Sequence, residues 1–261
     1  MSAQDRFNDI APYYDAIMSH VDYERWVTVA SALADLLPHG FLHLDAACGT
    51  GTLLKRLRRA GWHSVGCDLS PAMVRTGQRD YPRVPCAVAD LRALPFTGVF
   101  DFATCLFDSV NFLLDTCDLE KAFAEISAAL KEGGLFYFDV VTERMVTQHF
   151  AGQQWTESNG AFRTTWTSTY QPATATAETS VQVRNGPGCT ILERIFPRET
   201  LERTLSRTGF QLLAVYDAEG WRAPRKRTIR IDLIAVKGRN PRVRAGLRKA
   251  RACVRRELGW T

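Results

Sequence analysis

The chain has no CxxC pair among its seven cysteines, no apolar run near the length of a membrane span, and no basic start leading into an apolar core. The first absence argues against a zinc site, which needs closely spaced thiolates. The second argues against a spanning helix, and the third against a secretory signal. An odd number of cysteines in apolar surroundings suits a reducing compartment, so the expected location is cytoplasmic. No nucleophile–base–acid set and no metal cluster is visible, and a metal is not expected. An even spread of charge is missing too. The formal net charge is +5, but residues 237–261 carry +8 and the remainder −3. The basic character belongs to the tail and not to the body.

What is present fits one large domain with an elaboration. The chain has 261 residues and is 46% hydrophobic, enough for a sizeable core. Apolar positions at helical spacing predict a helix over Tyr13 to Leu37. Short apolar runs at Phe41 to Ala47, Ser64 to Cys67, Val84 to Val88, Phe100 to Phe107 and Leu135 to Val141 predict strands. Helical stretches lie between them. One starts at Ser70-Pro71, an N-cap followed by proline at the first helical position. One starts at Asp118 and stops at Gly133-Gly134. Apolar strands alternating with helices predict a mainly parallel sheet covered on both faces. Cys48, Cys67, Cys86 and Cys105 recur every nineteen residues, an echo of the strand–helix unit and not a cysteine site.

The pattern then changes. Phe162, Trp166 and Tyr170 alternate with polar residues, as a half-buried strand does. Two more strand-like runs follow, before a helix resumes after Pro197. Residues 151–196 are therefore expected to form a small antiparallel cap, within a domain spanning 1–237. Phe210 to Tyr216 and Ile229 to Val236 read as a closing strand pair. Residues 238–261 form a basic tail with Leu247, Ala250, Val254 and Leu258 on one helical face. Three readings of the tail stay open: packing on the domain with its arginines solvated, contact with RNA, or contact with an anionic membrane.

The stretch Leu42 to Leu54, "LHLDAACGTGTLL", puts an acid at a strand end just before two glycines. A glycine turn followed by a helix N-terminus brings backbone N–H groups to a ligand. A dinucleotide fingerprint requires glycine or alanine where Leu54 stands, and that leucine obstructs the close helix–strand packing the small residue permits. A dinucleotide-binding oxidoreductase is thus the weakest reading.

The D-x-x-C-G-T-G string, with "VGCDLSPAMV", "VADLRALPF", "FDFATCLFDSVNFLLD" and "ISAALKEGGLFYFDVV" in order behind it, resembles the class I S-adenosylmethionine (SAM)-dependent methyltransferases over residues 10 to 237. The opening "IAPYYDAIM" is similar to a bacterial small-molecule subgroup, alongside sugar N,N-dimethyltransferases and glycine N-methyltransferase-like enzymes. The resemblance implies a seven-stranded Rossmann-like α/β sheet with a small antiparallel β cap. It implies SAM as cofactor, S-adenosylhomocysteine as product, and a cofactor site made by Asp45, Ala47, Gly49, Gly51, Asp68, Leu69, Met73, Asp90, Leu91 and Leu106. Asp68 is expected at the ribose hydroxyls. Gly49 and Gly51 meet the methionine moiety. Asp45 either holds the turn or receives the amino group of SAM through water. Asp90 meets the adenine amino group, with Leu91 and Met73 on its faces, and Leu106 closes the floor.

Methyl transfer needs alignment and exclusion of water more than covalent help. On the substrate side Tyr14 and Asp108 are the catalytic candidates: Tyr14 facing the sulfonium or orienting an amine, Asp108 drawing in a cationic amine or accepting its proton. Asn111 is read rather as a helix cap, and His20 as a surface residue. Trp155, Trp166 and Arg194 fall in the cap, where one tryptophan is a candidate wall of the substrate pocket. The expected substrate is a small molecule accepting the methyl group at nitrogen or oxygen. The alternatives are an RNA methyltransferase that uses the basic tail, and a non-catalytic SAM-binding or scaffold protein. The sequence does not set the oligomeric state.

Overall fold

The computed structural model describes residues 6–159 and 162–260. Seven strands form one sheet: β1 (Leu42–Ala46), β2 (His63–Asp68), β3 (Cys86–Val88), β4 (Phe100–Cys105), β5 (Leu130–Val141), and two later strands, β10 (Phe210–Asp217) and β11 (Arg230–Lys237). Their order is β10-β11-β5-β4-β1-β2-β3. The first five run parallel, and β11 is antiparallel to both β5 and β10. Helices α2 (Tyr23–Ala34) and α3 (Thr52–Arg59) cover one face with α8 (Pro241–Glu257). Helix α5 (Thr116–Ala129) and α7 (Arg198–Arg207) cover the other. Helix α4 (Pro71–Asp80) follows β2, and the short α6 (Glu143–Met145) follows β5. The expected seven-stranded, Rossmann-like α/β architecture is present. Two apolar clusters, one on each face, make its core, because strands buried on both sides must offer apolar side chains to both layers.

The expected single N-terminal helix is two pieces, α1 (Tyr14–Ile17) and α2. The Asp22 carboxylate accepts a hydrogen bond from the Glu24 backbone N–H at 3.0 Å and restarts the helix. The break frees α1 to swing over the sheet edge, where Asp15 accepts hydrogen bonds from Thr50 and Thr52 at 2.5 and 3.2 Å. Two other boundaries also move. Helix α5 starts at Thr116, because Asp115 caps it by accepting from the Asp118 N–H. It ends at Ala129, before Gly133, which lies in the left-handed region at φ +76° and lets Lys131 to Gly134 bulge from β5.

The antiparallel cap is a four-stranded sheet, β6 (Gln153–Asn159), β7 (Phe162–Gln171), β8 (Thr176–Val183) and β9 (Gly188–Arg194). Its first strand is polar and carries no alternation, which hid it in the sequence. The cap is braced to the main sheet by buried Asn111. Its side-chain amide donates to the Arg194 carbonyl at 2.8 Å, and its carbonyl oxygen accepts from the Val141 N–H at 3.1 Å. Asn111 is therefore a cross-brace, and not the helix cap its position suggested. Trp155 and Trp166 stack on each other at 5.7 Å within the cap. His20 is exposed, 3.6 Å from Glu157.

Helix α8 lies against α2. Val243, Leu247, Ala250 and Val254 are buried there, and Leu258 packs at the rim. Gly246 permits the approach, since a Cβ at that position would strike the Leu36 side chain. Asn240 caps the helix through Val243 N–H and also donates to the Gly133 carbonyl at 2.8 Å.

Candidate functional site

The carboxyl-terminal ends of the parallel strands share one edge, and a cavity of about 410 Å³ opens there. Tyr14, Asp45, Ala47, Gly49, Asp68, Leu69, Met73, Asp90, Leu91 and Leu106 all line it. Strand register explains the convergence: Asp45 lies next to last in β1 and Asp68 ends β2, while Asp90 and Leu106 lie in the loops just after β3 and β4. Gly51 and Asp108, although expected at the site, are not among the lining residues. Gly51 lies at φ +79° as the N-cap of α3, and a Cβ there would sit 3.6 Å from Cys86 and Val84. Its work is to turn the chain into the helix.

Asp68 holds the turn. One carboxylate oxygen accepts from the Gly49 N–H at 2.8 Å and the other from the Ser70 N–H at 2.9 Å. Asp90 is engaged by Arg92, whose Nη2 lies 2.7 Å from Oδ2, and Arg92 in turn reaches Asp118 at 2.6 Å. The Arg92 guanidinium holds the Asp90 carboxyl below the usual carboxylate range. Any adenine amino group would share this carboxylate with Arg92.

Asp45 is buried in the wall. Its Oδ1 accepts from the Thr104 hydroxyl at 2.9 Å, and its Oδ2 has no partner. Burial pushes its pKa up to about 7; Thr104 opposes the shift and nearby Asp68 adds to it. Behind Thr104 lies His43, with one ring nitrogen 2.9 Å from the Thr104 hydroxyl and the other 3.0 Å from Ser64. Burial pulls the His43 pKa down to about 3, so the ring stays neutral. No pattern in the sequence marks this relay, because His43 and Thr104 sit in strands read as core.

Phe107 and Asp108 occupy the left-handed region in succession, at φ 61° and 52°. Such backbone is costly for non-glycine residues and clusters at functional edges. Here it turns the Phe107 ring into the cavity wall, 5.4 Å from Trp26. It turns Asp108 the other way, onto Arg230 at 3.2 Å. Arg230 also donates to Asp139, whose second oxygen accepts from the Phe107 N–H at 2.6 Å. Glu193, from the cap, hydrogen-bonds Asp108, and burial raises the pKa of both carboxyls. Three carboxyls thus surround one guanidinium where the cap meets the sheet. Arg230 and Glu193 lie far along the chain from the motifs, which hid their part.

Tyr14 lines the cavity from α1, and burial with several neighbouring acidic groups keeps its hydroxyl protonated. Tyr23 and Trp26 of α2 complete this wall. The sequence showed them only as members of a helix. Gly77 is a second residue that pattern missed. A Cβ there would overlap the Thr50 carbonyl of the glycine turn. Glycine inside a helix costs roughly 1 kcal/mol and so calls for a packing reason. Gly77→Ala should therefore lower the thermal midpoint despite alanine's better helix propensity, and it should weaken ligand binding by moving Thr50. A raised midpoint would mean that the contact has room.

The cavity suits an elongated ligand with a cationic end and a hydroxylated middle. Asp45 offers an unpartnered buried oxygen, Asp68 offers acceptors, and Leu69, Met73 and Leu91 offer apolar surface. Among the described residues no group of His, Cys, Asp and Glu could hold a metal ion, and no helix is long and apolar enough to cross a membrane.

The chain is similar in sequence and in fold to known proteins. Residues 44–134 match a family described as "Methyltransferase domain". YqeM of Bacillus subtilis (strain 168), whose name marks it provisionally as a methyltransferase, is 29% identical over 217 residues, 79% of this chain and 87% of that protein. A dTDP-4-amino-2,3,4,6-tetradeoxy-D-glucose N,N-dimethyltransferase from Saccharopolyspora spinosa is 33% identical over 131 residues, 49% of this chain and 52% of that protein. The chain thus spans most of the first relative and about half of the second. The solved structure of an S-adenosylmethionine-dependent methyltransferase from Clostridium acetobutylicum ATCC 824 superposes with a TM-score of 0.77 at 24% identity, covering 87% of this chain and 96% of that one.

Proposed function

We propose that the chain is a SAM-dependent methyltransferase that transfers a methyl group to a nitrogen or oxygen atom of a small molecule. The observation that carries the reading is the 410 Å³ cavity at the sheet edge with Asp45, Asp68 and Asp90 in its wall. SAM, when bound, supplies an electrophilic methyl group on a sulfonium. The chain's part is to bind, orient and exclude water. Asp68 receives the ribose hydroxyls while fixing the glycine turn, and neutral hydroxyls donate to a carboxylate at modest cost. The unpartnered Asp45 oxygen takes the amino group. Leu91 and Met73 pack on the adenine, whose amino group shares Asp90 with Arg92. Tyr14, Tyr23 and Trp26 cover the opposite wall.

The cap supports a small acceptor, since it and the N-terminal segment pack together over the sheet edge. Ile10, Ile17 and Val183 form a common apolar cluster, and Tyr13 stacks on Phe162 at 5.8 Å. An amine acceptor is consistent with the sugar N,N-dimethyltransferase relative. Tyr14, in the cavity wall, orients such an amine, while Asp108 is turned onto Arg230 at the cap–sheet junction and does not reach the cavity.

Calorimetric titration with SAM, S-adenosylhomocysteine and NAD tests the cofactor. Micromolar binding of both adenosyl ligands and none of NAD is expected. Binding should also depend on pH. The Asp45 carboxyl of the free protein, raised to about 7, must be ionised to hold an ammonium. Affinity should therefore fall by up to about tenfold per unit as pH drops below that value and level off above it. Thr104→Val removes the bond that favours the ionised form and should move the limb to higher pH. A flat profile between pH 5 and 8 would remove Asp45 from the amino-group role.

A further inference from the structure

We propose that the outer face of α8, joined to the 222–227 loop, is a docking surface for the phosphate backbone of a nucleic acid.

Two observations combine. The apolar face of α8 is consumed by the fold, with Val243 and Val254 fully buried and Leu247 at 7% exposure. What remains outside is basic: Arg242, Arg244, Arg248, Lys249 and Arg256 are all exposed. The second observation is a junction that the sequence did not show. Arg251 donates to the Trp221 carbonyl at 2.9 Å, and Arg255 to the Gly220 carbonyl at 2.6 Å. These bonds fasten the loop between β10 and β11 to the end of α8. The loop contributes Arg222, Arg225, Lys226 and Arg227, all exposed, with no acid among residues 222–227. Positive charges from two segments far apart in the chain become one surface.

Little opposes this charge. Among the described residues, no carboxylate lies within ion-pair distance of Arg242, Arg244, Arg248, Lys249, Arg225, Lys226 or Arg227, and Arg256 pairs with its own neighbour Glu257 at 2.9 Å. The repulsion of so many like charges destabilises the free surface and is relieved by a polyanion. Arginine dominates, and its forked donors match phosphate oxygens. A seventeen-residue helix is about 25 Å long, long enough to follow several phosphates. Both its ends are pinned, the first by Asn240 to Gly133 and the last by Arg255 to Gly220. The surface is thus rigid, and binding does not cost the ordering of a tail. It ends at the cofactor edge of the sheet, because Arg230, just after the loop, pairs with Val141 at the end of β5.

A membrane fits less well. An interfacial helix buries its apolar face in lipid, and α8 has already spent that face on α2. Insertion would require undocking both pinned ends.

The test is fluorescence anisotropy on the full chain with a labelled 20-nucleotide RNA duplex, the matching DNA duplex, and light-scattering titration with phosphatidylserine vesicles. Two charge-reversal variants are compared, Arg244→Glu/Arg248→Glu/Lys249→Glu on α8 and Arg225→Glu/Lys226→Glu/Arg227→Glu on the loop. All six side chains are exposed, and a thermal melt with SAM titration confirms that each variant is folded. Binding should weaken by about 150-fold between 50 and 200 mM salt if four phosphates are contacted. Each variant should weaken it at least about tenfold at fixed salt, with SAM affinity unchanged. Equal affinity for RNA and DNA supports pure backbone docking; tighter RNA binding supports docking aided by the 2′-hydroxyl. Vesicle binding without nucleic-acid binding overturns the proposal. So does nucleic-acid binding that neither variant changes, or no binding at 50 mM salt. None of these failures touches the cofactor reading, which the SAM titration reports separately.

Discussion

Asp68→Ala lowers the affinity for SAM by about a hundredfold while the protein stays folded. Each hydrogen bond to a charged group is worth roughly 1.5–3 kcal/mol, and about 2.7 kcal/mol is a hundredfold in Kd. Two kinds of contact go at once: the acceptors offered to the ribose, and the bonds to the Gly49 and Ser70 N–H groups that shape the turn. Asp68 is only half-buried at the edge of the sheet, so its loss leaves the apolar clusters intact. The thermal midpoint should move far less than the affinity. Asp68→Asn keeps one acceptor and should recover part of the loss. A folded Asp68→Ala protein that binds SAM within about threefold of the parent would remove this residue from the cofactor site.

Arg230→Met is expected to be the most destabilising single change on the molecule's site side. Arg230 pairs with both Asp108 and Asp139 and faces Glu193 at the cap–sheet junction. Removing one partner of a buried ion pair costs about 3–5 kcal/mol, because the charge left behind has no solvent. For a chain of this size that is about 10 °C in thermal midpoint. The pH dependence has a definite sign. Glu193 and Asp108 have raised folded-state pKa values, Glu193 up to about 8, so the native state binds their protons more tightly than the unfolded chain does. Stability from these groups is present at low pH and is lost as pH rises from the ordinary carboxylate range towards 8. The variant should therefore lose more at pH 8 than at pH 5. Adding Asp139→Asn should restore part of the loss by removing a fully buried charge. Scanning calorimetry at the two pH values reads all three effects. A shift below about 2 °C at pH 8 would mean that the cluster is solvated.

The strand–turn–helix signal around Leu42 to Leu54 was legible because it is local. A buried strand, a turn needing left-handed glycine backbone and an amphipathic helix are each fixed by neighbours within a few residues. The same holds for Ser70-Pro71, where Ser70 accepts from the Met73 N–H at 3.2 Å as a cap should. The nineteen-residue recurrence of cysteine also proved local in origin. Cys67 and Cys105 are buried at the ends of β2 and β4, and Cys48 and Cys86 meet at 3.8 Å beside the turn. Three acids at strand ends fell on one edge because parallel strands point the same way.

The tertiary structure decided what depended on distant pairs. Asp108 sits on Arg230 and not in the cavity wall, since strand β11 brings in the arginine 122 residues away. Gly51 serves the backbone turn and not the cavity wall. Asn111 reaches the cap strand β9 across 83 residues. The relay from Ser64 through His43 and Thr104 to Asp45 spans three neighbouring strands. Helix periodicity showed the apolar stripe of α8, but only packing on α2 and the clasp of the 220–222 loop revealed which charges are left outside. Composition and spacing determine which surfaces a chain must bury. Which polar groups then meet is settled by the sheet order, since the cost of burying a charge depends on partners that only the fold brings within reach.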